Sequence, residues 1–473
     1  MGPAGIRDAA TRLRRDLPED FGDDVVAGIY ADAARIARTS LSGGVGGDVG
    51  ARPLLDQRLD RLLTHRVWGF LAMGLLFYAV FWFTIAGAAV PSDLLYSLLV
   101  DRGHEWLREG FAAAGAPWWL TGVLVDGAYL GTAWVVAVML PPMAIFFPLF
   151  TLLEDFGYLP RVAFNLDRVF ARAGAHGKQS LTMMMGFGCN AAGVTATRII
   201  DSPRERLIAI LTNNFSVCNG RWPTLILMGT IFVGAAAPPA LAGLLAAGSV
   251  VLVALLGIAV TLVVSWALSR TVLRGEVSVY SLELPPYRPP QVWRTVWTSL
   301  VDRTFKVLRR ALVMAAPAGV VIWLLANVSV GGASLAAHLV EGLGPVGWLL
   351  GLNGVILVAY LVAVPANEIV IPTVLMLTLT LEPSLVAGAA PGVMLDLPDT
   401  QAGTVLVEVG GWTLLTAVNL MLFSLLHNPC STTVLTIWRE TGSLRWTAVA
   451  TLLPLLLACA VTATTAALWR GVG

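Results

Sequence analysis

Long apolar runs are the feature that most limits how this sequence can fold. Val67–Val90, Ala240–Leu268 and Trp446–Trp469 are each long enough to cross a bilayer core, which takes about 20 apolar residues. Only 13% of the 473 residues are charged, whereas soluble domains carry roughly 25%. In lipid the backbone must satisfy its own hydrogen bonds, and a helix does so within one segment. We expect an all-α, polytopic membrane protein with about eight to ten membrane segments.

The distribution of charge divides the chain into four regions. They are a helical cytoplasmic lead (1–66), a first membrane half (67–270), a basic cytoplasmic linker (271–310) and a second membrane half (311–473). A further basic segment, Arg161–Lys178, lies inside the first half, and the acidic stretch Asp93–Glu109 predicts an outer loop. Because basic loops mark the cytoplasmic side of a membrane protein, these segments place the linker and the lead in the cytoplasm.

Four short polar breaks interrupt the apolar sequence. Two lie in the first half, at Gly186–Asn190 and Ser216–Gly220, and two in the second, at Pro365–Glu368 and His427–Cys430. Unwound backbone survives at membrane depth only where it is buried in protein or lines a water-filled cavity. Transporters place their ion sites at such interruptions, in corresponding positions of two repeats. The breaks therefore predict re-entrant or broken helices, one hairpin over Gln179–Thr197, and two related repeats.

The breaks combine thiols, amides and one carboxylate, which together form a mixed sulfur and oxygen donor set. The candidate metal-site residues are Cys189, Asn190, Cys218, Asn219, Asn367, Glu368 and Cys430. Thiolates suit soft or borderline cations and oxygens suit hard ones, so the mixture favours a partly dehydrated Fe²⁺-like ion over Na⁺ or Mg²⁺. Met183–Met185 are expected to add thioethers. Free cysteine also packs as a small hydrophobe, which is how we interpret Cys459 in its unbroken apolar run.

Glu368 is a carboxylate in an otherwise uncharged apolar stretch. Ionisable residues within a membrane are functional candidates by default, and a helix cap after Pro365 is the alternative for Glu368. His427 has two interpretations as well, as a metal ligand or as a histidine at the mouth of a pore. Both alternatives stay open from the sequence.

Several classes of function are excluded by missing motifs. The only glycine-lysine pair, Gly177-Lys178, has Arg172 where a phosphate-binding loop needs glycine and Gln179 where it needs serine or threonine. No GxSxG or HExxH hydrolase motif occurs. We therefore expect no enzymatic activity, no permanently bound cofactor and no role in binding nucleic acid.

Several sequence words resemble the membrane domain of the FeoB family, the bacterial ferrous iron transport protein B. The words are Leu153–Arg161 (LEDFGYLPR), Gly186–Asn190 (GFGCN), Arg204–Leu207 (RERL), Cys218–Arg221 (CNGR), Asn428–Cys430 (NPC) and Arg439–Ser443 (RETGS). They occur in family order from about Leu59 to the C-terminus. The resemblance implies two gate regions that form an iron path, and by position Cys189, Cys218 and Cys430 match the family's gate cysteines.

The sequence departs from the family pattern in three ways. Family members usually begin with a G domain, and residues 1–50 look like the tail of that domain only. The second gate has Asn367-Glu368 where many members have Lys-Glu, and the first gate continues Ala191-Ala192 in place of Val-Pro. The departures bear on ion selectivity and on energy coupling. They imply that either a separately encoded GTPase docks on this chain or this branch works without one.

Together these observations predict an inward Fe²⁺ permease in the bacterial cytoplasmic membrane. Its expected partners are the lipid bilayer, a separate GTPase and a small cytoplasmic accessory protein, and a homo-oligomer remains an option. Fe²⁺ is expected as transported substrate. The alternatives are a carrier for another divalent ion such as Mn²⁺, a carrier for a nucleoside-like solute, or a membrane scaffold or sensor that does not conduct.

Overall fold

In the computed structural model the chain is almost entirely helical. The structure describes residues 21–40, 59–65, 67–236, 238–275, 287, 291–381, 397 and 399–472. Parts of the predicted lead and linker, residues 1–20, 41–58, 276–286 and 288–290, lie outside that part of the chain, as do residues 382–396. The strands found in it are β1 (Ser329–Val330) and β2 (Ala333–Ser334), which form one antiparallel pair.

The helices of the first part of the chain, up to the linker, are numbered in order. They are α1 (Phe21–Ser40), α2 (Trp68–Ala113), α3 (Trp118–Asp155), α4 (Tyr158–Arg172), α5 (Lys178–Gly188), α6 (Asn190–Ala196), α7 (Pro203–Thr212), α8 (Trp222–Met228) and α9 (Pro239–Arg270). Short 3₁₀ turns at Asn213–Phe215 and Asn219–Arg221 lie between α7 and α8. A π-helical turn, Gly229–Gly234, extends α8.

The helices after the linker continue the numbering. They are α10 (Val292–Asn327), α11 (Leu335–Leu349), α12 (Gly354–Val362), α13 (Val370–Leu381), α14 (Asp399–Thr404), α15 (Leu414–Leu426), α16 (Ser431–Thr441) and α17 (Leu444–Val472). A 3₁₀ turn, Asn367–Ile369, leads into α13, and a π-helical turn, Val405–Val409, follows α14.

Within the described residues, 6 helices are long and apolar enough to cross a membrane. The pair α11 and α12 is bent by 110° and adds one further candidate span, while Asn367–Leu381 is a shorter apolar helix. The apolar side chains on the outside of these helices remain exposed, which in a lipid bilayer is the favourable arrangement. The prediction of an all-α, polytopic fold with broken helices is confirmed.

The predicted acidic loop at Asp93–Glu109 is wrong, because α2 continues through it to Ala113. Asp101, Glu105 and Glu109 are spaced four apart and all are exposed, as on the water-facing side of a helix. His104 Nε2 lies 2.7 Å from Asp126 Oδ1 and ties this extension to α3. The acidic composition was typical of an outer segment, but its spacing was helical.

Two repeats with the same order of elements make up the centre of the molecule. In each repeat a long helix is followed by a shorter helix, a broken hairpin and a second broken helix. The first repeat runs from α3 to α8 and the second from α10 to α16. Arg303 at the start of α10 bonds Glu154 at the end of α3 (3.1 Å), and Gly319 near the end of α10 packs against Gly127 near the start of α3. Helices α3 and α10 are therefore antiparallel, and the repeats are inverted.

Helix α4 holds the lead and the linker together on the basic side of the molecule. Arg161 is only 2% exposed; its Nε donates to Asp60 Oδ1 (2.9 Å) and its guanidinium stacks 3.9 Å from the centre of the Tyr287 ring. The Tyr287 hydroxyl donates to the same Asp60 oxygen (2.8 Å), and burial together with that bond raises the pKa of Tyr287 to about 12. Asn165 Nδ2 donates to Leu63 O (2.6 Å).

Candidate functional site

The four breaks meet at one central cavity of about 40 Å³. All seven residues predicted from the sequence line it: Cys189, Asn190, Cys218, Asn219, Asn367, Glu368 and Cys430. The rest of the lining is Met139, Met143, Gly188, Gly220, Val307, Ala311, Pro365, Ala366 and Thr432. The structure therefore brings the predicted residues together, whereas their binding of a metal remains a prediction.

The first hairpin break is formed by close packing of glycine against an aromatic ring. A Cβ on Gly188 would collide with the ring of Phe146 in α3, so only glycine lets α5 approach this closely. Cys189 then takes extended dihedrals (φ −154°, ψ 121°), and α6 starts at the next residue, Asn190. Cys189 is thus the N-cap of α6. The positive end of the helix dipole lies there and stabilises a negatively charged group.

The second hairpin break, in the other repeat, has the same backbone. Ala366 has φ −152° and ψ 120°, within two degrees of Cys189 at both angles, and Asn367 follows it as Asn190 follows Cys189. Pro365 ends the preceding segment because proline supplies no N–H to continue a helix. The two hairpins are therefore equivalent in conformation, although only the first carries a thiol at this position.

The remaining two breaks are also equivalent, and each carries a cysteine. Cys218 (φ −77°, ψ 165°) precedes the 3₁₀ turn Asn219–Arg221, and Cys430 (φ −61°, ψ 157°) is the N-cap of α16. Cys430 Sγ lies 3.3 Å from Thr433 Oγ1 in the first turn of α16. All three thiols at the cavity are therefore placed at the start of a helical turn, with backbone N–H groups nearby.

Arg221 connects the two repeats behind the cavity. Its side chain is 1% exposed; Nη1 donates to Asn214 O (2.7 Å) and Leu425 O (3.0 Å), and Nη2 to Asn214 Oδ1 (3.0 Å) and His427 O (3.3 Å). Asn214 Nδ2 also donates to His427 O (2.7 Å). These bonds use carbonyls that the breaks have freed, so Arg221 holds the broken segments of both repeats in fixed positions.

Asn367 links a thiol of the first repeat to His427 of the second. Its Nδ2 lies 3.9 Å from Cys218 Sγ and its Oδ1 3.2 Å from His427 Nε2. The other ring nitrogen, His427 Nδ1, faces Ser424 O at 2.9 Å. His427 is 3% exposed and outside the cavity lining, so it orients Asn367 and does not lie at a pore mouth.

Glu368 places its carboxyl group against the backbone of Gly220. A Cβ on Gly220 would collide with that carboxyl group, which explains why glycine follows Asn219 in this break. Among the described residues, no other residue donates a hydrogen bond to the Glu368 carboxylate or forms an ion pair with it. A carboxylate at membrane depth without a partner is costly, and a cation in the cavity would offset that cost.

The predicted thioether lining is wrong in its residues. Met183 and Met184 are buried in the hydrophobic core and Met185 faces another cavity, whereas Met139 and Met143 of α3 line the central cavity. Met139 and Met143 flank Pro141-Pro142, and that proline pair is the sequence signal that could have pointed to them. Cys459, which we interpreted as packing, lies in α17 and does not line the cavity.

The cavity has the size and the donors for an ion and not for a larger solute. A water molecule needs at least about 10–15 Å³ of such space, so about 40 Å³ accommodates a cation with a little water. Organic ligands occupy pockets of roughly 300–1,000 Å³. Among the described residues, no three His, Cys, Asp or Glu side chains are grouped closely enough to hold a metal ion together. The donors surround the cavity without forming a closed coordination cage.

A second, larger cavity of about 1,030 Å³ opens on the basic side of the molecule, and we call it the vestibule. Its charged lining residues are Glu154, Lys178, Arg198, Asp302, Arg303, Lys306, Arg310, Arg439 and Glu440. Val307 lines both the vestibule and the central cavity. Because basic segments face the cytoplasm, the vestibule lies on the cytoplasmic side of the central cavity.

Comparison with known proteins agrees with the two-repeat architecture. The family profile described as "Gate: Nucleoside recognition" matches residues 136–232 and 308–444, which fall in the first and second repeats. The profile described as "Ferrous iron transport protein B C terminus" matches residues 250–303. No solved structure matches the chain.

Among curated proteins, the chain is similar to several Fe(2+) transporters named FeoB. It is 29% identical to that of Staphylococcus aureus (strain COL) over 98% of this chain and 63% of the relative. It is 29% identical to that of Synechocystis sp. (strain ATCC 27184 / PCC 6803 / Kazusa) over 97% of this chain and 70% of the relative. The chain thus spans a little under two thirds of the length of the Staphylococcus aureus protein.

The family profiles cover both repeats and the segment between them, and the curated relatives align along nearly the whole chain. This multi-pass membrane chain therefore belongs to the FeoB family and contains the membrane portion of that family with both of its Gate segments.

Proposed function

We propose that this chain is the permease part of an FeoB-type system that carries Fe²⁺ across the cytoplasmic membrane into the cell. The observation that carries the proposal is the central cavity, where four breaks in the helices bring three thiols, three amides and the Glu368 carboxylate together. The mixed donors suit a borderline cation such as Fe²⁺. The relatives' name, Fe(2+) transporter, supports the choice of metal.

An open donor arrangement is what a transported ion needs. A closed cage of three or four ligands binds a metal tightly and releases it slowly, whereas conduction needs binding that is weak enough to let the ion leave. Fe²⁺ is therefore proposed as a substrate that passes through the cavity, and not as a resident cofactor. The Glu368 carboxylate supplies the charge that draws the cation in, and the thiols favour Fe²⁺ over Mg²⁺.

We propose that a separate GTPase supplies the energy for transport, because this sequence contains no phosphate-binding loop. The lead and the linker meet on α4, which precedes the first hairpin, through Arg161, Asp60 and Tyr287. This contact is the route by which a docked GTPase would act on the hairpin.

A fusion protein from Porphyromonas gingivalis, named as Fe(2+) transport protein A joined to FeoB, is 31% identical over 57% of this chain. That fusion supports a small accessory partner.

Uptake by the purified chain in anaerobic proteoliposomes tests the proposal. We expect saturable uptake of Fe²⁺, weaker uptake of Mn²⁺, and no uptake of Mg²⁺ or uridine. A scaffold would give no uptake of any of them, and a nucleoside carrier would take up uridine alone. GTP binding is measured on the same preparation, where we expect none. Saturable GTP binding that survives Lys178→Ala would show that the sequence contains a nucleotide site of another kind.

A further inference from the structure

Three helices run from the central cavity directly into the vestibule. On α6, Asn190 lines the cavity and Ala191 and Ala192 line the vestibule. On α16, Thr432 lines the cavity and Thr436, one turn later, lines the vestibule. The two cavities therefore lie end to end between the same helices, and what separates them lies between α6, α10 and α16.

Arg310 lies at that boundary. Its neighbour Ala311 lines the central cavity, and Val307, one turn before it on α10, lines both cavities. Arg310 Nη1 donates to Thr436 Oγ1 (3.3 Å), so the guanidinium reaches across from α10 to α16. The contact lies about one helical turn from the central cavity on both helices. A cation that leaves the cavity between α10 and α16 would have to pass it.

The lack of a carboxylate partner also distinguishes Arg310 from most of the other cations of the vestibule wall. Lys178 pairs with Asp201, Arg303 with Glu154 and Lys306 with Asp302. Arg198 shares Glu440 with Arg206. Within the described part of the chain, no carboxylate lies within ion-pair distance of Arg310 or of Arg439. Arg310 is half-buried at the boundary, whereas Arg439 is exposed.

We propose that Arg310, held by Thr436, is the cytoplasmic gate of the central cavity. Its side chain fills the gap between α10 and α16, and its uncompensated positive charge repels a divalent cation that enters from the cytoplasm. For the ion to leave the cavity, the side chain swings into the vestibule, away from Thr436. The gate rests on the proposed function, in that it assumes a cation path through the cavity. Long arginine side chains can swing in this way because their stems are flexible.

Access to the thiols tests the gate without measuring transport. Inside-out vesicles made of phosphatidylethanolamine and phosphatidylglycerol expose the vestibule, and a small charged methanethiosulfonate reagent that does not cross lipid is added outside. Peptide mass spectrometry then gives the labelling rate of Cys189 and Cys430. In Arg310→Ala we expect both thiols to react at least about fivefold faster than in the wild type.

The matched control is Arg439→Ala, which removes an unpaired cation from the same vestibule but away from the boundary. It should leave both labelling rates unchanged. Thr436→Val keeps the shape of the side chain and removes the hydrogen bond, so it should speed labelling by a smaller factor, and it serves if Arg310→Ala does not fold. Equal rates in all variants and the wild type would overturn the gate, as would equal increases in Arg310→Ala and Arg439→Ala.

Efflux of Fe²⁺ from preloaded proteoliposomes separates failure of the gate from failure of the proposed function. Faster labelling together with faster Fe²⁺ efflux in Arg310→Ala supports both. Faster labelling without Fe²⁺ movement in any variant supports a gate on a cavity that carries something other than Fe²⁺, and overturns the proposed function alone. Unchanged labelling overturns the gate, whatever the rate of Fe²⁺ uptake.

Discussion

The hairpin breaks of the first and the second repeat have nearly the same backbone but different side chains. Cys189 and Ala366 differ by at most two degrees in φ and ψ, and an asparagine follows each. The first repeat adds a thiol at this position, while the second adds a carboxylate, Glu368, two residues later. One inverted architecture therefore places a thiol from the first repeat and a carboxylate from the second at one cavity.

This difference indicates what each repeat contributes to the proposed transport. The first repeat gives two of the three thiols, Cys189 and Cys218, and these favour a soft or borderline cation. The second gives Cys430 and the carboxylate that carries the negative charge. We infer that selectivity rests mainly on the first repeat and attraction of the cation mainly on the second.

Glu368→Gln should have the largest effect, because it removes the charge of the second repeat and keeps the shape. Two unit charges at 4 Å interact by about 4 kcal/mol at an effective dielectric constant of about 20, before desolvation is subtracted. Since about 1.4 kcal/mol is tenfold, we expect Fe²⁺ uptake efficiency to fall about 10- to 100-fold. The pH dependence of uptake should also flatten, because protons no longer compete with the metal for this group.

Glu408→Gln is the matched control for this variant, since Glu408 is exposed in the π-helical turn after α14. Both variants should be recovered in folded form at the wild-type level. Wild-type uptake with an unchanged pH profile in Glu368→Gln would mean that Glu368 only caps the turn before α13.

Cys218→Ser should have the next largest effect and should change selectivity. The hydroxyl is a poor substitute for a thiolate toward a borderline metal, and loss of a metal contact commonly costs at least about tenfold. We expect Fe²⁺ uptake to fall about tenfold while the ratio of Mn²⁺ to Fe²⁺ uptake rises. Cys459→Ser in α17 is the control, and its uptake should match the wild type. If the two serine variants behave alike, packing is the role of all these cysteines.

Ala366→Cys sharpens the comparison by giving the second hairpin the thiol of the first. Ala366 lines the cavity with the same dihedrals as Cys189, so the new sulfur should face the same space. Four thiols suit Zn²⁺, which prefers tetrahedral sulfur sites. We expect the Zn²⁺ concentration that half-inhibits Fe²⁺ uptake to be lower in Ala366→Cys than in the wild type by about threefold or more. The same Zn²⁺ titration on Ala336→Cys, at a buried site in α11 away from the cavity, should match the wild type.

Gly188→Ala should have the smallest effect on uptake and should mainly lower the stability of the folded chain. The added methyl group meets the Phe146 ring, and overpacking of this kind costs about 1–3 kcal/mol. We expect a lower unfolding temperature in detergent, with the uptake of the folded fraction little changed. Phe146→Leu should restore part of the lost stability in the double variant. A wild-type melting curve for Gly188→Ala would show that the hairpin does not depend on this contact.

The positions of the breaks could be predicted from the sequence because each break places residues in an apolar run that a continuous buried helix does not favour. Glycine, cysteine and asparagine together in an apolar run, as at Gly186–Asn190, cannot be explained by a continuous buried helix. The same reasoning found Glu368, since a lone carboxylate at membrane depth needs a reason. What these residues share is visible along the chain, so no tertiary information was needed to choose them.

Features that depend on contacts between repeats could not be predicted. From the sequence, Arg221 is only the last residue of the motif Cys218–Arg221 that resembles the family. Its structural role depends on hydrogen bonds to the carbonyls of Leu425 and His427, about two hundred residues away. The proline pair marks the part of α3 that holds Met139 and Met143, but only the packing of α3 against the second repeat brings them to the cavity. The role of Arg310 likewise depends on a vestibule that no local pattern shows. Pairings of this kind are decided by the fold and not by spacing.

The most direct test of the account is X-ray absorption spectroscopy of Fe²⁺ bound to the purified wild-type chain in anaerobic nanodiscs. We predict a mixed shell of oxygen and sulfur ligands, with a sulfur distance of about 2.3 Å as in other thiolate sites. The sulfur shell should vanish in the variant with Cys189, Cys218 and Cys430 all changed to serine, and persist in Cys459→Ser. A shell of oxygen and nitrogen alone in the wild type, unchanged in the triple variant, would contradict it.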